Sequence, residues 1–127
     1  MMKMMFSKSE ENVRGVVDYM YGSENAADSK MIDFMTEAMK RARPILNKPK
    51  SFYFSELKAI KQPVLVIGAE KDRLYKWKDV EKSSKKYFTN VKVIQIKDSG
   101  HFVFAEKPDL INQYIIDFLG GREPARE

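Results

Sequence analysis

The chain has 127 residues, 43% of them hydrophobic and 32% charged, with no Cys, one His, and 23 Lys+Arg against 18 Asp+Glu. These counts exclude disulfides, thiolate metal sites, a Cys nucleophile and a His-rich metal cluster, leaving only hard oxygen-ligand metals open by composition; no metal site is assigned and no cofactor is expected. No run approaches the ~18 apolar residues of a membrane span, and Met1 to Phe6 is too short and interrupted for a signal-peptide core, so a soluble, cytoplasmic protein without membrane contact is expected.

Much of the net charge of +5 comes from Lys71, Arg73, Lys76, Lys78, Lys82, Lys85 and Lys86, interleaved with Asp72, Asp79 and Glu81. That pattern describes the solvated face of a helix. No basic and aromatic stacking motif accompanies it, so nucleic acid is not an expected partner.

The N-terminal third reads as helical. Ser7 and Glu10 have the spacing of a capping box, and Val13, Val16, Val17 and Met20 then repeat at i, i+3, i+4, i+7 until Gly22. A second helix is expected from Asp28 or Ser29, with Met31, Ile32, Met35, Met39 and Ala42 on one face and Pro44 as its stop. A Met-lined face of this kind serves either as ordinary core or as an adaptable wall over a pocket. Asn47 to Tyr53, with Pro49, reads as a connector, Phe52 and Phe54 as anchors, and Ser55 to Ile60 as a short helix.

At Gln62 the pattern changes. Pro63 to Ala69 is a continuous apolar run, as expected of a strand covered on both faces in a parallel sheet. Trp77, Val80, Ser84 and Tyr87/Phe88 return to helical spacing, and Val91 to Ile96 is β-rich. Pro108, Leu110, Ile111, Tyr114, Ile115, Phe118 and Leu119 define a last helix stopped by Gly120-Gly121, and a polar tail follows. The order β-α-β-α implies two parallel strands, about 63–69 and 91–97, joined by a right-handed crossover.

In open parallel sheets ligands bind beyond the C-terminal ends of the strands. Two loops lie there, Gly68-Ala69-Glu70-Lys71-Asp72 and Asp98-Ser99-Gly100-His101-Phe102. A carboxylate at Asp72 that accepts the Nδ1 proton of His101 would leave Nε2 free to take a proton from a nucleophile. By spacing alone, the pair reads more readily as a capped loop histidine and an acid that complements a helix N-terminus.

The stretch Leu57 to Asp72, with Pro63-Val64-Leu65-Val66-Ile67-Gly68 leading to the acid, and the stretch Asp98-Ser99-Gly100-His101-Phe102-Val103-Phe104-Ala105-Glu106-Lys107-Pro108 together resemble the C-terminal part of the α/β-hydrolase fold family. There an apolar strand ends in Gly shortly before the triad acid, and a later Gly-His is followed by an acid-x-Pro that opens the final helix. The resemblance spans about Ser55 to Leu119. It implies that Asp72 and His101 are the acid and base of a catalytic triad, and that residues 1–53 are a helical cap-like segment. Residues 54–120 would be the β-α-β-α part of the core, and 121–127 a disordered tail.

Two departures accompany it. Arg73-Leu74-Tyr75-Lys76 follows the acid where the family usually has an apolar step and a Pro. The Gly-x-Ser-x-Gly nucleophile elbow is absent from the 127 residues, as is the oxyanion-hole segment. No serine offers a substitute by context: Ser23 lacks a second Gly two positions on and a strand before it, Ser99 reads as a turn residue on the His101 loop, and Ser51, Ser55, Ser83 and Ser84 fall on connector or helix surface.

The expected function is therefore hydrolysis of an ester-like small molecule, with a complementing N-terminal hydrolase segment supplying the nucleophile and the isolated chain inactive. Carbon–halogen or epoxide hydrolysis, which this fold performs with an Asp nucleophile, stays open. The alternative is a non-catalytic truncated homologue that self-associates through an exposed sheet edge; binding of an anionic partner by the basic helix is a third possibility. Met31, Met35, Met39 and Trp77 are the candidate pocket residues.

Overall fold

A computed structural model describes residues 9–22, 29–42 and 52–122. Ser7, Ser23, Asp28, Pro44, Pro49 and Ser51, and the tail beyond Arg122, lie outside the described residues. The elements in chain order are α1 (Glu10–Met20), α2 (Ser29–Arg41), α3 (Phe54–Lys58), β1 (Val64–Ala69), α4 (Trp77–Tyr87), β2 (Val91–Ile96), α5 (Val103–Glu106) and α6 (Pro108–Leu119).

The cap of α1 is Ser9. Its hydroxyl accepts from the Asn12 backbone at 3.4 Å and from the Asn12 side chain at 2.8 Å. Glu10 and Glu11 place negative charge at the positive end of the helix dipole. The expected apolar stripe faces inward, with Val13, Val17 and Tyr21 buried together with Ile32 of α2. Met31, Met35, Met39 and Phe102 pack around that cluster. At the exposed end of α2, Lys40 and Arg41 both reach Glu37, at 3.5 and 3.3 Å.

The short helix α3 starts one residue earlier than the spacing suggests, because the Tyr53 N–H donates to the Glu56 carboxylate at 2.6 Å and so fixes the first turn. Phe54 sits edge-on to Tyr87, with ring centroids 5.7 Å apart, although both Phe54 and Phe52 remain exposed.

β1 and β2 pair in parallel, in register from Val64 opposite Val91 to Ala69 opposite Ile96. Side chains alternate across the sheet. Gly68 faces α4, where Trp77 lies close enough that an added Cβ would meet its ring at 2.9 Å. Ile67, Ile94 and Ile96 pack with Ile111 and Tyr114 of α6. One helix thus covers each face.

Both strands are nevertheless only half-buried except at their last residues, Ala69 and Ile96. The sequence implies fuller cover, and the difference has a simple cause: among the described residues the sheet has two strands only, so each strand keeps one edge without a partner. No helix among the described residues is long and apolar enough to cross a membrane.

Candidate active site

The two loops at the C-terminal ends of β1 and β2 are joined by their own backbones. The Glu70 N–H donates to the Ile96 carbonyl and the Lys71 N–H to the Ser99 carbonyl, both at 2.9 Å. The Glu70 carboxylate accepts from the Asp98 N–H at 3.0 Å, and Lys71 pairs with Asp98 at 2.8 Å. Contact with the Lys71 ammonium holds the Asp98 carboxyl below its ordinary range and raises the Lys71 pKa in turn. Asp98 adopts φ 49°, a left-handed conformation that Asp tolerates better than most residues.

On this platform Asp72 Oδ2 lies 3.0 Å from His101 Nδ1. Asp72 Oδ1 accepts two further hydrogen bonds, from the Leu74 N–H at 2.7 Å and the Tyr75 N–H at 3.0 Å. The segment Arg73-Leu74-Tyr75-Lys76, which departs from the usual family pattern, therefore has a local use. Neither residue 74 nor residue 75 is Pro, so both amides are available to hold the acid.

The Asp72 side chain is 11% exposed and that of His101 is 30% exposed. Burial pushes the Asp72 carboxyl up, but the Tyr75 amide, His101 and the Leu74 amide together outweigh it and hold the pKa below its ordinary value. An ionised carboxylate only accepts, so of the two neutral tautomers of the imidazole it selects the one with its proton on Nδ1. Nε2 then carries the lone pair. Tyr75 and Phe102 flank the ring, with centroids 5.7 and 6.0 Å from that of the imidazole.

The other candidates pack against the helical core and the sheet. Met31, Met35 and Met39 lie against the α1–α2 core, and Trp77 lies against β1 at Gly68. An open groove of about 410 Å³ is lined by Leu74, Tyr75, Lys76, Asp79, Val80 and Ser83, between the acid loop and the first turns of α4. None of the four pocket candidates lines it.

Ser99 is fully buried and its hydroxyl donates to the Ile96 carbonyl at 3.0 Å, which ties it to the turn after β2. Ser84 donates to the Val80 carbonyl at 2.7 Å within α4. Among the described residues no three His, Asp or Glu side chains converge to hold a metal ion.

Two features at this rim escape sequence reasoning. Glu106 hydrogen-bonds the Gly22 and Gly100 amides, and those two glycines lie in direct backbone contact. The acid-x-Pro spacing marks Glu106 but gives no hint of what it touches, and Gly22 reads simply as a helix stop.

Comparison with known proteins gives a consistent picture. The family model for the α/β hydrolase fold matches residues 10–108. Carboxylesterase YbfK of Bacillus subtilis (strain 168) is 29% identical over 73 residues, which cover 58% of this chain and 25% of that protein. The crystal structure of naproxen esterase (carboxylesterase NP) from Bacillus subtilis superposes with a TM-score of 0.77 at 18% identity, covering 93% of this chain and 43% of that one. Carboxylesterase CesB (YbfK) from Bacillus subtilis gives 0.76 at 19% identity, covering 96% and 46%. The chain thus spans about a quarter of the curated relative and less than half of each of these two solved chains. With its parallel β1–β2 pair, its helices on both faces and a family match over most of its length, the chain belongs to the α/β-hydrolase fold family.

Proposed function

We propose that this chain carries the acid–histidine half of a hydrolase site for an ester-like small molecule, Asp72 as orienter and His101 as general base and then general acid. The observation that supports the reading is the 3.0 Å contact between Asp72 Oδ2 and His101 Nδ1, on an acid already held by two backbone amides. The relatives bearing carboxylesterase names point to an ester as the substrate class.

In this reaction a hydroxyl nucleophile loses its proton to His101 Nε2 as its oxygen bonds to the ester carbonyl carbon. The tetrahedral intermediate expels the alcohol, which takes that proton from the imidazolium. Water then repeats the sequence on the acyl-enzyme, and the nucleophile recovers its proton. Asp72 stays ionised throughout and offsets the positive charge on the ring.

The nucleophile and the oxyanion donors come from a segment outside the 127 residues, because no Gly-x-Ser-x-Gly occurs within them. We read α1 and α2 as the cap-like segment of such an enzyme. The unpaired edges of β1 and β2 are where the strands of a complementing N-terminal part would add.

The test is hydrolysis of a chromogenic ester. The chain alone should stay at background and take no label from a serine-directed phosphonate. Joined to a complementing segment it should turn over, and Asp72→Asn should lower kcat about ten-thousandfold. Saturable activity of the isolated chain that disappears in His101→Ala would overturn the placement of the nucleophile; unchanged turnover in Asp72→Asn would remove Asp72 from its role.

A second reading is favoured by the same unpaired edges and by the exposure of Ile116 and Leu119 on α6: a non-catalytic chain that self-associates through the sheet. Light scattering behind size-exclusion chromatography separates the two. A monomer with cooperative unfolding rules out self-association as the source of the fold.

A further inference from the structure

Glu106 closes the short helix α5 and is half-buried. Its two carboxylate oxygens serve two backbone amides that are far apart in sequence. Oε1 accepts from the Gly100 N–H at 2.7 Å and Oε2 from the Gly22 N–H at 3.0 Å. Gly100 immediately precedes His101, and Gly22 lies just past the end of α1.

The last turn of α1 also reaches both rim loops by other contacts. The Phe102 N–H donates to the Met20 carbonyl at 3.3 Å, and Tyr21 lies edge-on to Phe102 at 5.5 Å. On the other loop the Tyr19 hydroxyl donates to the Arg73 carbonyl at 3.5 Å, and the Arg73 guanidinium sits 5.3 Å above the Tyr19 ring. One helix end therefore touches the residue after Asp72 and the residues on either side of His101.

We propose that Glu106 is a positioning residue which clamps the end of α1 to the His101 loop and thereby sets the Asp72–His101 hydrogen bond. Two N–H groups converge on one side chain, and only a carboxylate presents two acceptor oxygens to them. A Gln of the same shape would turn an NH2 toward one of the amides, donor against donor. Both bonds are charge-assisted, which makes them stronger than neutral ones of the same length.

The proposal rests on the assignment of His101 as the base only for its consequence in turnover. The hydrogen bond itself is measured without any activity, so failure of the complementation assay and failure of the clamp give different results.

The experiment is Glu106→Gln in the full 127-residue chain, followed by NMR with 15N labelling. Amide exchange at Gly22 or Gly100 should accelerate about tenfold, and the His101 Nδ1–H signal held by Asp72 should broaden or disappear. Unchanged exchange at both glycines overturns the clamp. An intact Nδ1–H signal also overturns it, whether the faster exchange is confined to the two glycines or spread over α1, β1 and β2, since a residue serving stability alone leaves that signal in place. Should the variant not fold, the wild-type chain supplies the decision through couplings across the hydrogen bonds from the Gly22 and Gly100 amide nitrogens to the Glu106 carboxylate carbon. Their presence supports the clamp, and the absence of both overturns it.

Discussion

Replacing Gly100 by Ala should detach the α1–α2 pair from the β-α-β unit. An added Cβ at Gly100 would lie 2.3 Å from the Gly22 nitrogen, 2.4 Å from the Tyr21 carbonyl carbon and 2.5 Å from the Met20 carbonyl oxygen, where ordinary contact begins at 3.4 Å. All three atoms are backbone, so no side chain can swing aside and the two segments must separate by about 1 Å. The Glu106 bonds of 2.7 and 3.0 Å cannot both survive that separation, and the 3.3 Å bond from Phe102 to Met20 lengthens beyond hydrogen-bonding range.

One charge-assisted bond and one neutral bond lost together cost about 3 kcal/mol. The effect is to be measured by urea unfolding, followed both by far-UV circular dichroism and by the fluorescence of Trp77, the single Trp in the chain. Gly22→Ala attacks the same contact from the other side, with an added Cβ 2.5 Å from the Gly100 nitrogen. It should cost a similar amount, and the double variant should cost clearly less than the sum of the two. A Gly100→Ala chain within about 0.5 kcal/mol of wild type would refute the reasoning, because surface substitutions away from tight contacts fall in that range.

Other outcomes follow from the same geometry. Because the Asp72 pKa is depressed in the folded chain, its contribution to stability is fully present above the unfolded carboxylate value of about 4 and is lost as pH falls through the lower folded value; Asp72→Asn should flatten the acid limb of a plot of stability against pH, and an unchanged limb would contradict the assignment. Ile96→Ala removes the largest side chain fully buried among the described residues, packed between β2 and α6, and should cost about 3 kcal/mol in a chemical unfolding series. Ser99→Ala should cost about 1 kcal/mol through the lost bond to the Ile96 carbonyl while leaving the response to serine-directed phosphonates unchanged; a change in labelling would reopen Ser99 as a nucleophile.

The parts of the fold legible in the sequence are those where a single physical requirement sets the residue type. An unbroken apolar run from Pro63 to Ala69 signals a strand between layers, and the 3.6-residue spacing of Val13, Val16, Val17 and Met20 signals a buried helix face; both elements occur within a residue or two of the expected ends. The juxtaposition of Asp72 and His101 follows from topology, since parallel neighbours bring their C-terminal loops to one rim. Local rules served less well where two candidates compete for one role. The cap of α1 is Ser9, directly before the first turn and within reach of the Asn12 amide, a position that the Ser7–Glu10 spacing does not single out.

Long-range backbone contacts were not legible at all. Gly22 carries the same letter whether it stops a helix or lets another chain segment approach its nitrogen, and Glu106 has no spacing that reveals two amides converging from residues 22 and 100. The half-exposed strands have the same kind of origin: apolarity on both faces is a property of the residues, while cover depends on neighbours, which two strands alone do not provide.

The central claim is that Asp72 fixes His101 with its proton on Nδ1 and its lone pair on Nε2. The most direct measurement is the 15N and 1H NMR spectrum of the His101 ring at a pH where the imidazole is neutral, in the wild-type chain and in Asp72→Asn. Wild type should show the Nδ1–H tautomer. The Asn side chain can keep accepting from the Leu74 and Tyr75 amides only by turning its NH2 toward the ring, so in the variant Nδ1 becomes an acceptor and the proton moves to Nε2. A wild-type ring already protonated on Nε2, or one tautomer shared by both proteins, would contradict the account.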